Sequence, residues 1–152
     1  MYEAKTLGAD NPTALLHSMW LICSMHLGTW TGKETHSLQW GDISLQLDDS
    51  NQEYILYNTE RQTKIRTGVN ERNIRLAKPR AYAIPDIPQK DPVGLYKLYK
   101  NKRPADMNGP ESPFFSQYKK TPMGINKLYG IMKKMMTDTG LPPTDKRIIP
   151  YR

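Results

Sequence analysis

One basic stretch, Arg61-Gln-Thr-Lys-Ile-Arg-Thr-Gly68, contains the residues of this sequence whose types and spacing best suit chemistry on a phosphate. It lies between two runs that are predicted to be strands. In an extended conformation Lys64 and Arg66 project to one face and Arg61 to the other. A β-hairpin of this kind can direct an ammonium or a guanidinium group at a phosphate. The alternative interpretation is a solvated, charged hairpin that binds nothing.

Positive charge continues downstream of this stretch. Arg72, Arg75, Lys78 and Arg80 follow within a few residues, with Glu71 as the acidic residue among them. Such a concentration of cations is typical of a surface that binds a polyanion. We therefore predict a set of residues that contact duplex DNA: Arg61, Lys64, Arg66, Arg72, Arg75 and Lys78.

Composition limits the classes of protein that fit. With 152 residues the chain is long enough for one domain with a proper core. It has 22 Lys and Arg against 15 Asp and Glu, and a net charge of +7 favours anionic partners, nucleic acid before a membrane surface. No run approaches the roughly 18 apolar residues of a spanning helix, and residues 1–6 lack the features of a signal peptide. The sequence predicts a protein of the cytosol or nucleus, without membrane contact.

Cysteine and histidine give little support to a metal or redox site. The single cysteine, Cys23, excludes an intramolecular disulfide and a cysteine-cluster zinc site. His17 and His26 lie within an apolar helical pattern, where a hydrogen-bonded structural histidine is the simpler interpretation. We expect no metal and no cofactor.

Local signals predict the helices before the basic stretch. Asn11 can cap a helix that has Pro12 in its first turn and stops at Gly28. Residues 31–34 have the spacing of a capping box, which predicts a short second helix that ends near residue 40. Residues 1–11 are polar, and we expect them to form a flexible lead-in to a domain over residues 12–152.

Alternating and turn-forming residues predict a small antiparallel sheet. Residues 43–47 and 54–57 have strand character and flank a turn at residues 48–51, and residues 72–76 could supply a further strand. After an extended connector at residues 83–88, Asp91 is predicted to cap another helix. The fold class is therefore α/β of the α+β type, mostly helical, with the sheet inserted between helices.

The last part of the chain is predicted to return to the core and form a final helix. Exposure of the apolar rings of Phe114 and Phe115 to water would be unfavourable, so we expect both to be buried. The helix starts at residues 121–122 and ends at Gly140. One of its faces carries an apolar stripe made of Ile125, Leu128, Tyr129, Met132, Met135 and Met136. Methionines in such a stripe more often pack adaptably in a core than form a recognition groove.

Five blocks of this sequence match a known pattern: Leu27-Gly28 followed by Glu34, Leu38-Gln-Trp-Gly-Asp42, Glu60-Arg-Gln-Thr-Lys-Ile-Arg-Thr-Gly68, Lys100-Asn-Lys-Arg-Pro104 and Pro110-Glu-Ser-Pro-Phe-Phe115. In this order they resemble the catalytic domain of tyrosine recombinases. They are more closely similar to its Crypton-derived offshoot, the C-terminal domain of MYM-type zinc-finger proteins and their glutamine-rich relatives. The resemblance implies a mostly helical, integrase-like catalytic domain that is incomplete at its C-terminus.

The resemblance also implies which residues would act. In the family a tyrosine attacks a DNA phosphodiester, two arginines stabilise the extra charge of the transition state, and a lysine or histidine protonates the leaving oxygen, without a metal. Lys64 stands at the lysine of that pattern. Trp30 stands where the first arginine is expected, and its single neutral N–H cannot replace a guanidinium.

The end of the chain departs from the pattern as well. Ile149 stands at the family's histidine position and Arg152 at its second arginine, while the nucleophilic tyrosine would lie beyond residue 152. The resemblance thus implies a catalytically inactive, domesticated relative that keeps Lys64 and Arg152 as remnants. We expect a nuclear domain with a role in transcription-related regulation that binds DNA or chromatin proteins. The sequence does not specify its oligomeric state.

Two other functions stay open. The first is a protein-interaction scaffold that does not bind DNA. Its contacts would come from aromatic and methionine residues: Tyr96, Tyr99, Tyr118 and the stripe of residues 132–136. The second is a fragment of an active site-specific recombinase whose tyrosine lies further downstream. Trp30 counts against that possibility, since one of the two arginines would still be absent.

Overall fold

A computed structural model describes residues 1–29, 32–58, 78–116 and 121–141 of the chain. These residues form an α+β fold with a small antiparallel sheet, which confirms the predicted class at that level. The elements are α1 (Pro12–His26), α2 (Gly32–Ser37), β1 (Ile43–Leu47), β2 (Glu53–Tyr57), β3 (Arg80–Tyr82), α3 (Pro92–Lys102) and α4 (Ile125–Asp138). Short 3-10 turns lie at Trp40–Asp42 and Ala105–Met107.

Helix α1 begins and ends where its sequence signals predict. The side chain of Asn11 accepts a hydrogen bond of 2.8 Å from the backbone N–H of Ala14, and Pro12 occupies the first turn. The helix stops just before Gly28, whose φ of +74° suits a residue without Cβ. The face of α1 that contains Met19 and Cys23 is completely buried.

The first residues of the chain, for which we predict a flexible lead-in, include a side chain that lies in the core. Leu7 is only 3% exposed and belongs to the hydrophobic core. The N–H of Gly8 donates to Ser18 Oγ at 2.7 Å, and His17 Nδ1 lies 3.3 Å from the carbonyl oxygen of Thr6. One apolar side chain and two polar partners on α1 are thus enough to order a segment whose own sequence has no periodic pattern.

The sheet has the strand order β1-β2-β3, and both pairs are antiparallel. Ile55 and Ala81 are aligned across it and are buried, whereas Leu45, which pairs with Ile55 from the edge strand β1, is 39% exposed. The predicted β1, β2 and intervening turn are confirmed, and Asp48 Oδ1 accepts the N–H groups of Ser50 and Gln52 in that turn. The further strand predicted at residues 72–76 lies outside the described residues.

The two prolines of the connector before α3 suggested an extended backbone. The connector consists instead of successive turns. The N–H of Ile87 donates to Ile84 O at 3.1 Å, and the N–H of Lys90 donates to Ile87 O at 2.9 Å. A proline ring fixes φ near −65°, which suits turns as well as extended backbone. Asp91 caps α3 as predicted, because its Oδ1 accepts the N–H groups of both Val93 and Ile84.

Helix α4 packs against α2 and contributes its apolar stripe to the core. It begins at Ile125, three residues later than predicted, and is followed by Gly140 at a φ of +68°. Leu128, Ile131 and Met135 are buried, whereas Met132 and Met136 are half-buried. Tyr129, which we placed in the stripe, is mostly exposed, and its ring lies directly over Gly32 of α2.

Candidate functional site

The basic segment leaves the sheet and returns to it at adjacent strands. Leu56 of β2 pairs with Arg80 of β3, so the two ends of the intervening segment are held about one strand spacing, about 4.8 Å, apart. Two backbone hydrogen bonds support these ends: Tyr57 N–H to Pro79 O at 3.1 Å and Asn58 N–H to Asp42 O at 2.8 Å. The fold therefore holds the base of the segment firmly at one end of the sheet.

Of the predicted DNA-contacting residues, the structure describes Lys78, which is exposed just before β3. Arg80 is exposed as well, and its guanidinium carbon lies 5.0 Å from the ring centroid of Tyr54. Both cations are therefore accessible to a ligand at the base of the segment. The other predicted site residues lie outside the described ranges: Trp30, Arg61, Lys64, Arg66, Arg72, Arg75, Ile149 and Arg152.

A second group of residues, which we call the arginine–aromatic cluster, consists of Arg103, Trp40, Tyr96, Tyr99 and Phe114. Arg103 is only 7% exposed and lies with its guanidinium carbon 4.4 Å from the Trp40 ring centroid. The Trp40 ring stacks on Tyr96 at 5.3 Å and on Phe114 at 5.4 Å between centroids. The cluster therefore combines a buried cation with aromatic faces that attract it.

Arg103 uses all of its side-chain nitrogens within the protein. Nη1 donates to Phe114 O at 2.6 Å, and Nη2 donates to the carbonyl oxygens of Met107 and Pro113 at 2.5 and 2.9 Å. Nε donates to Asn108 Oδ1 at 3.3 Å. Because buried carbonyls need donors, this one side chain organises the loop after α3.

Backbone pairing brings two distant blocks of the sequence against this cluster. Trp40 N–H donates to Ser112 O at 2.8 Å, Gly41 N–H to Pro110 O at 2.9 Å, and Phe114 N–H to Leu38 O at 2.8 Å. Three of the blocks that support the recombinase resemblance, at residues 38–42, 100–104 and 110–115, thus meet in one buried unit. Their role in the described structure is to form the core.

This pairing makes a specific demand on Gly41. A Cβ at that position would lie 2.9 Å from Pro110 Cβ and 3.0 Å from Pro110 O, so the adjacent backbone would have to move. We expect Gly41→Ala to lower the free energy of unfolding by about 1–3 kcal/mol, as overpacking does. Urea unfolding followed by circular dichroism would measure the change.

A matched glycine provides the control. Gly130 lies in α4, where nothing comes within 4 Å of an added Cβ, so Gly130→Ala is expected to stabilise the protein by about 0.5–1 kcal/mol. An unfolding midpoint for Gly41→Ala at or above that of the wild type would show that Pro110 does not restrict this position.

Burial keeps the phenols of the cluster neutral. It raises the pKa of Tyr99 to about 12, against a smaller lowering by the nearby Arg103 charge, and it also raises the pKa of Tyr96. Tyr99 Oη donates to Phe114 O at 2.8 Å. These two tyrosines are therefore structural and do not offer the surface contacts of the scaffold interpretation. Tyr118 lies outside the described residues.

Two further buried groups, Cys23 and His17, have shifted pKa values. Burial raises the pKa of the Cys23 thiol. Burial, together with the charge of Lys134, lowers the pKa of His17. The Thr6 carbonyl and Asp138 act in the opposite direction on His17. Within the described ranges, no three His, Cys, Asp or Glu side chains come close enough to hold a metal ion. Nor does any described helix have the length and apolar character that crossing a membrane requires.

The structure also contains a cleft that the sequence did not suggest. It has a volume of about 980 Å³ and lies between residues 9–17, the end of α3 and one face of α4. Most of its lining surface is apolar, and Lys102, Lys127 and Lys134 border it. Sequence patterns cannot reveal such a site, because its walls come from three segments that are far apart in the chain.

Comparison with known families gives a match over most of the chain. The sequence model of a domain of unknown function, DUF3504, matches residues 1–136. The chain belongs to the DUF3504 family. Comparison with curated proteins and with solved structures found no match.

The DUF3504 match extends over the features that the structure brings together. It includes residues 1–11, of which Leu7 is in the core, and all five residues of the arginine–aromatic cluster. It also includes the basic segment and the cleft residues up to Lys134. It stops before Ile149 and Arg152. The buried packing unit and the basic segment are thus both parts of the DUF3504 domain.

Proposed function

We propose that this DUF3504 domain is a domesticated, catalytically inactive tyrosine-recombinase-like domain of Crypton ancestry that binds DNA or chromatin in the nucleus and serves transcription-related regulation. The observation on which this rests is the basic segment between β2 and β3. Between residues 58 and 80 the sequence has seven basic residues and two acidic ones, Glu60 and Glu71. A segment with this charge, attached at both ends to adjacent strands, suits the phosphate backbone of a duplex.

The geometry of the sheet supports this assignment. The backbone hydrogen bonds of Tyr57 and Asn58 hold the segment's base, and Lys78 and Arg80 are exposed beside it. A base held in this way limits the conformational entropy that the segment loses when it binds DNA. Phosphate contacts that need no reacting centre would give affinity that falls steeply with salt.

The absence of activity is proposed from residue chemistry. Strand cleavage in tyrosine recombinases needs two guanidinium groups around the transition state, and Trp30 stands at one of those positions. Ile149 stands at the family's histidine position and can neither donate nor accept a proton. Lys64 and Arg152 alone lack the second guanidinium group that this chemistry needs. The domain would therefore hold DNA without cutting it.

Removing two cations from the segment tests the proposal. We expect the full chain to bind a fluorescent duplex of about 30 base pairs, with log K falling linearly as log salt rises. In Lys64→Ala/Arg66→Ala the slope should decrease by about two units, since each lost phosphate contact removes about one. Fluorescence anisotropy across a salt series measures both slopes.

Two lysines elsewhere provide the control. Lys100→Ala/Lys133→Ala removes the same charge from exposed positions on α3 and α4, and its salt slope should remain close to that of the wild type. Equal decreases in both double variants would mean that net charge, not the segment, determines binding. A folded wild-type chain that does not bind at low salt would refute DNA binding.

A further inference from the structure

The cleft between α1, α3 and α4 has an apolar floor. Leu15, Met123 and Ile131 line it and are almost fully buried, and the half-buried Leu16 and Leu98 widen it. Contact between such a lining and apolar groups of a ligand removes apolar surface from water, which favours binding. The walls come from helices that pack on one core, so the space exists before a ligand arrives.

Cations surround this floor. Lys102 borders the cleft at the end of α3, and Lys127 and Lys134 border it from α4. Lys134 forms an ion pair of 2.8 Å with Asp138, whereas neither Lys102 nor Lys127 forms an ion pair within the described ranges. Asp10 is the acidic residue of the lining. The border therefore has an excess of positive charge.

The spacing of the lysines indicates what kind of ligand would fit. Lys127 and Lys134 are two helical turns apart on one face of α4, which places them about 10 Å apart along the axis. Lys102 lies on a different helix. A single carboxylate could reach only one of them, so the border suits a ligand with several separated negative charges.

We propose that the cleft binds an acidic peptide segment of a partner protein, whose large apolar side chains cover the floor and whose carboxylates pair with Lys102, Lys127 and Lys134. This mode matches recognition of an amphipathic helix in a groove, with apolar anchors at helical spacing. The apolar floor distinguishes the cleft from a surface that binds a phosphate backbone. Arg103 lines the cleft as well, but its donors are already used by backbone carbonyls and Asn108.

This inference goes beyond the DNA-binding proposal, because the cleft and the basic segment are formed by different residues. The probe is a fluorescein-labelled amphipathic peptide of about 18 residues with Leu on one helical face and Glu on the other. A second peptide of the same composition in scrambled order has no apolar face. We expect the full-length chain to bind the first peptide and to bind the scrambled peptide at least about tenfold more weakly.

Charge reversal at the cleft border is the decisive variant. Lys102→Glu/Lys127→Glu should weaken peptide binding by about tenfold, which corresponds to the loss of two partly exposed charge pairs. The control, Lys100→Glu/Lys133→Glu, changes the same charge on the same two helices at positions that do not line the cleft. It should change binding by less than about twofold. All four lysines are exposed, so the variants are expected to fold, and circular dichroism checks this.

Other outcomes would overturn the proposal. Equal weakening in both charge-reversal variants would indicate unspecific attraction by net charge. No binding of the amphipathic peptide up to about 1 mM would show that the cleft does not take this ligand. If Lys102→Glu/Lys127→Glu reduced duplex binding and left peptide binding unchanged, the cleft border would belong to the DNA surface. Lys64→Ala/Arg66→Ala should leave peptide binding unchanged, which separates this test from that of DNA binding.

Discussion

Replacing Arg103 by alanine is expected to lower the free energy of unfolding by about 3–5 kcal/mol. The substitution leaves the carbonyl oxygens of Met107 and Pro113 without the donor that Arg103 provides, and Phe114 O keeps only the hydrogen bond from Tyr99 Oη. It also removes the cation above the Trp40 ring. Because a typical domain is stable by only about 5–15 kcal/mol, a large part of the chain's stability would depend on this residue. Urea unfolding of wild type and variant would measure the difference.

Two further substitutions test whether geometry or charge is responsible. Arg103→Lys keeps the charge but has a single donor atom in place of the planar fork, so it should lose most of the same stability. Lys102→Ala, at the preceding exposed position, should change the free energy of unfolding by less than about 0.5 kcal/mol. A loss below about 1 kcal/mol for Arg103→Ala would mean that water replaces its hydrogen bonds and that the cluster does not depend on it.

Trp40→Ala is expected to destabilise the protein by about 3–5 kcal/mol, as large-to-small changes of buried aromatic residues do. Its ring stacks on both Tyr96 and Phe114, and its loss leaves a cavity at the centre of the cluster. The near-ultraviolet circular dichroism should weaken, since the aromatic stack gives the rings a fixed asymmetric surrounding. Chemical unfolding measures the stability of the same sample.

The size of the removed ring can be separated from its chemistry. Trp40→Phe keeps an aromatic face against Tyr96 and should cost less than half as much as Trp40→Ala. Since Trp40 and Arg103 are in contact, the double alanine variant should differ from the sum of the single variants by about 0.5–3 kcal/mol. Strict additivity would contradict the view that the two residues act within one cluster.

Local spacing was sufficient to predict several elements of the fold. The caps at Asn11 and Asp91, β1, β2 and the turn between them all depend on interactions within a few residues. The burial of Phe114 follows from its apolar area alone. Such features are readable because the residues that determine them are adjacent in the sequence.

Other features became visible only in the structure. Strand β3 has three residues, too few for an alternating pattern, and it exists because β2 offers it a partner. Leu7 is buried because the backbone of its neighbours Thr6 and Gly8 pairs with His17 and Ser18 on α1. The connector before α3 folds into turns because the carboxylate of Asp91 draws the N–H of Ile84 back towards the helix.

Among the candidate sites, too, one was predicted from the sequence and the others became visible only in the structure. Sequence charge alone indicates a polyanion-binding segment between β2 and β3, because electrostatic attraction depends on how many cations are close together in the chain. The burial of Arg103, the stacking on Trp40 and the cleft bordered by Lys102 and Lys127 depend on segments that are distant in sequence. Only tertiary packing brings those segments together, since burial and cavity shape are properties of the assembled core and of no single element.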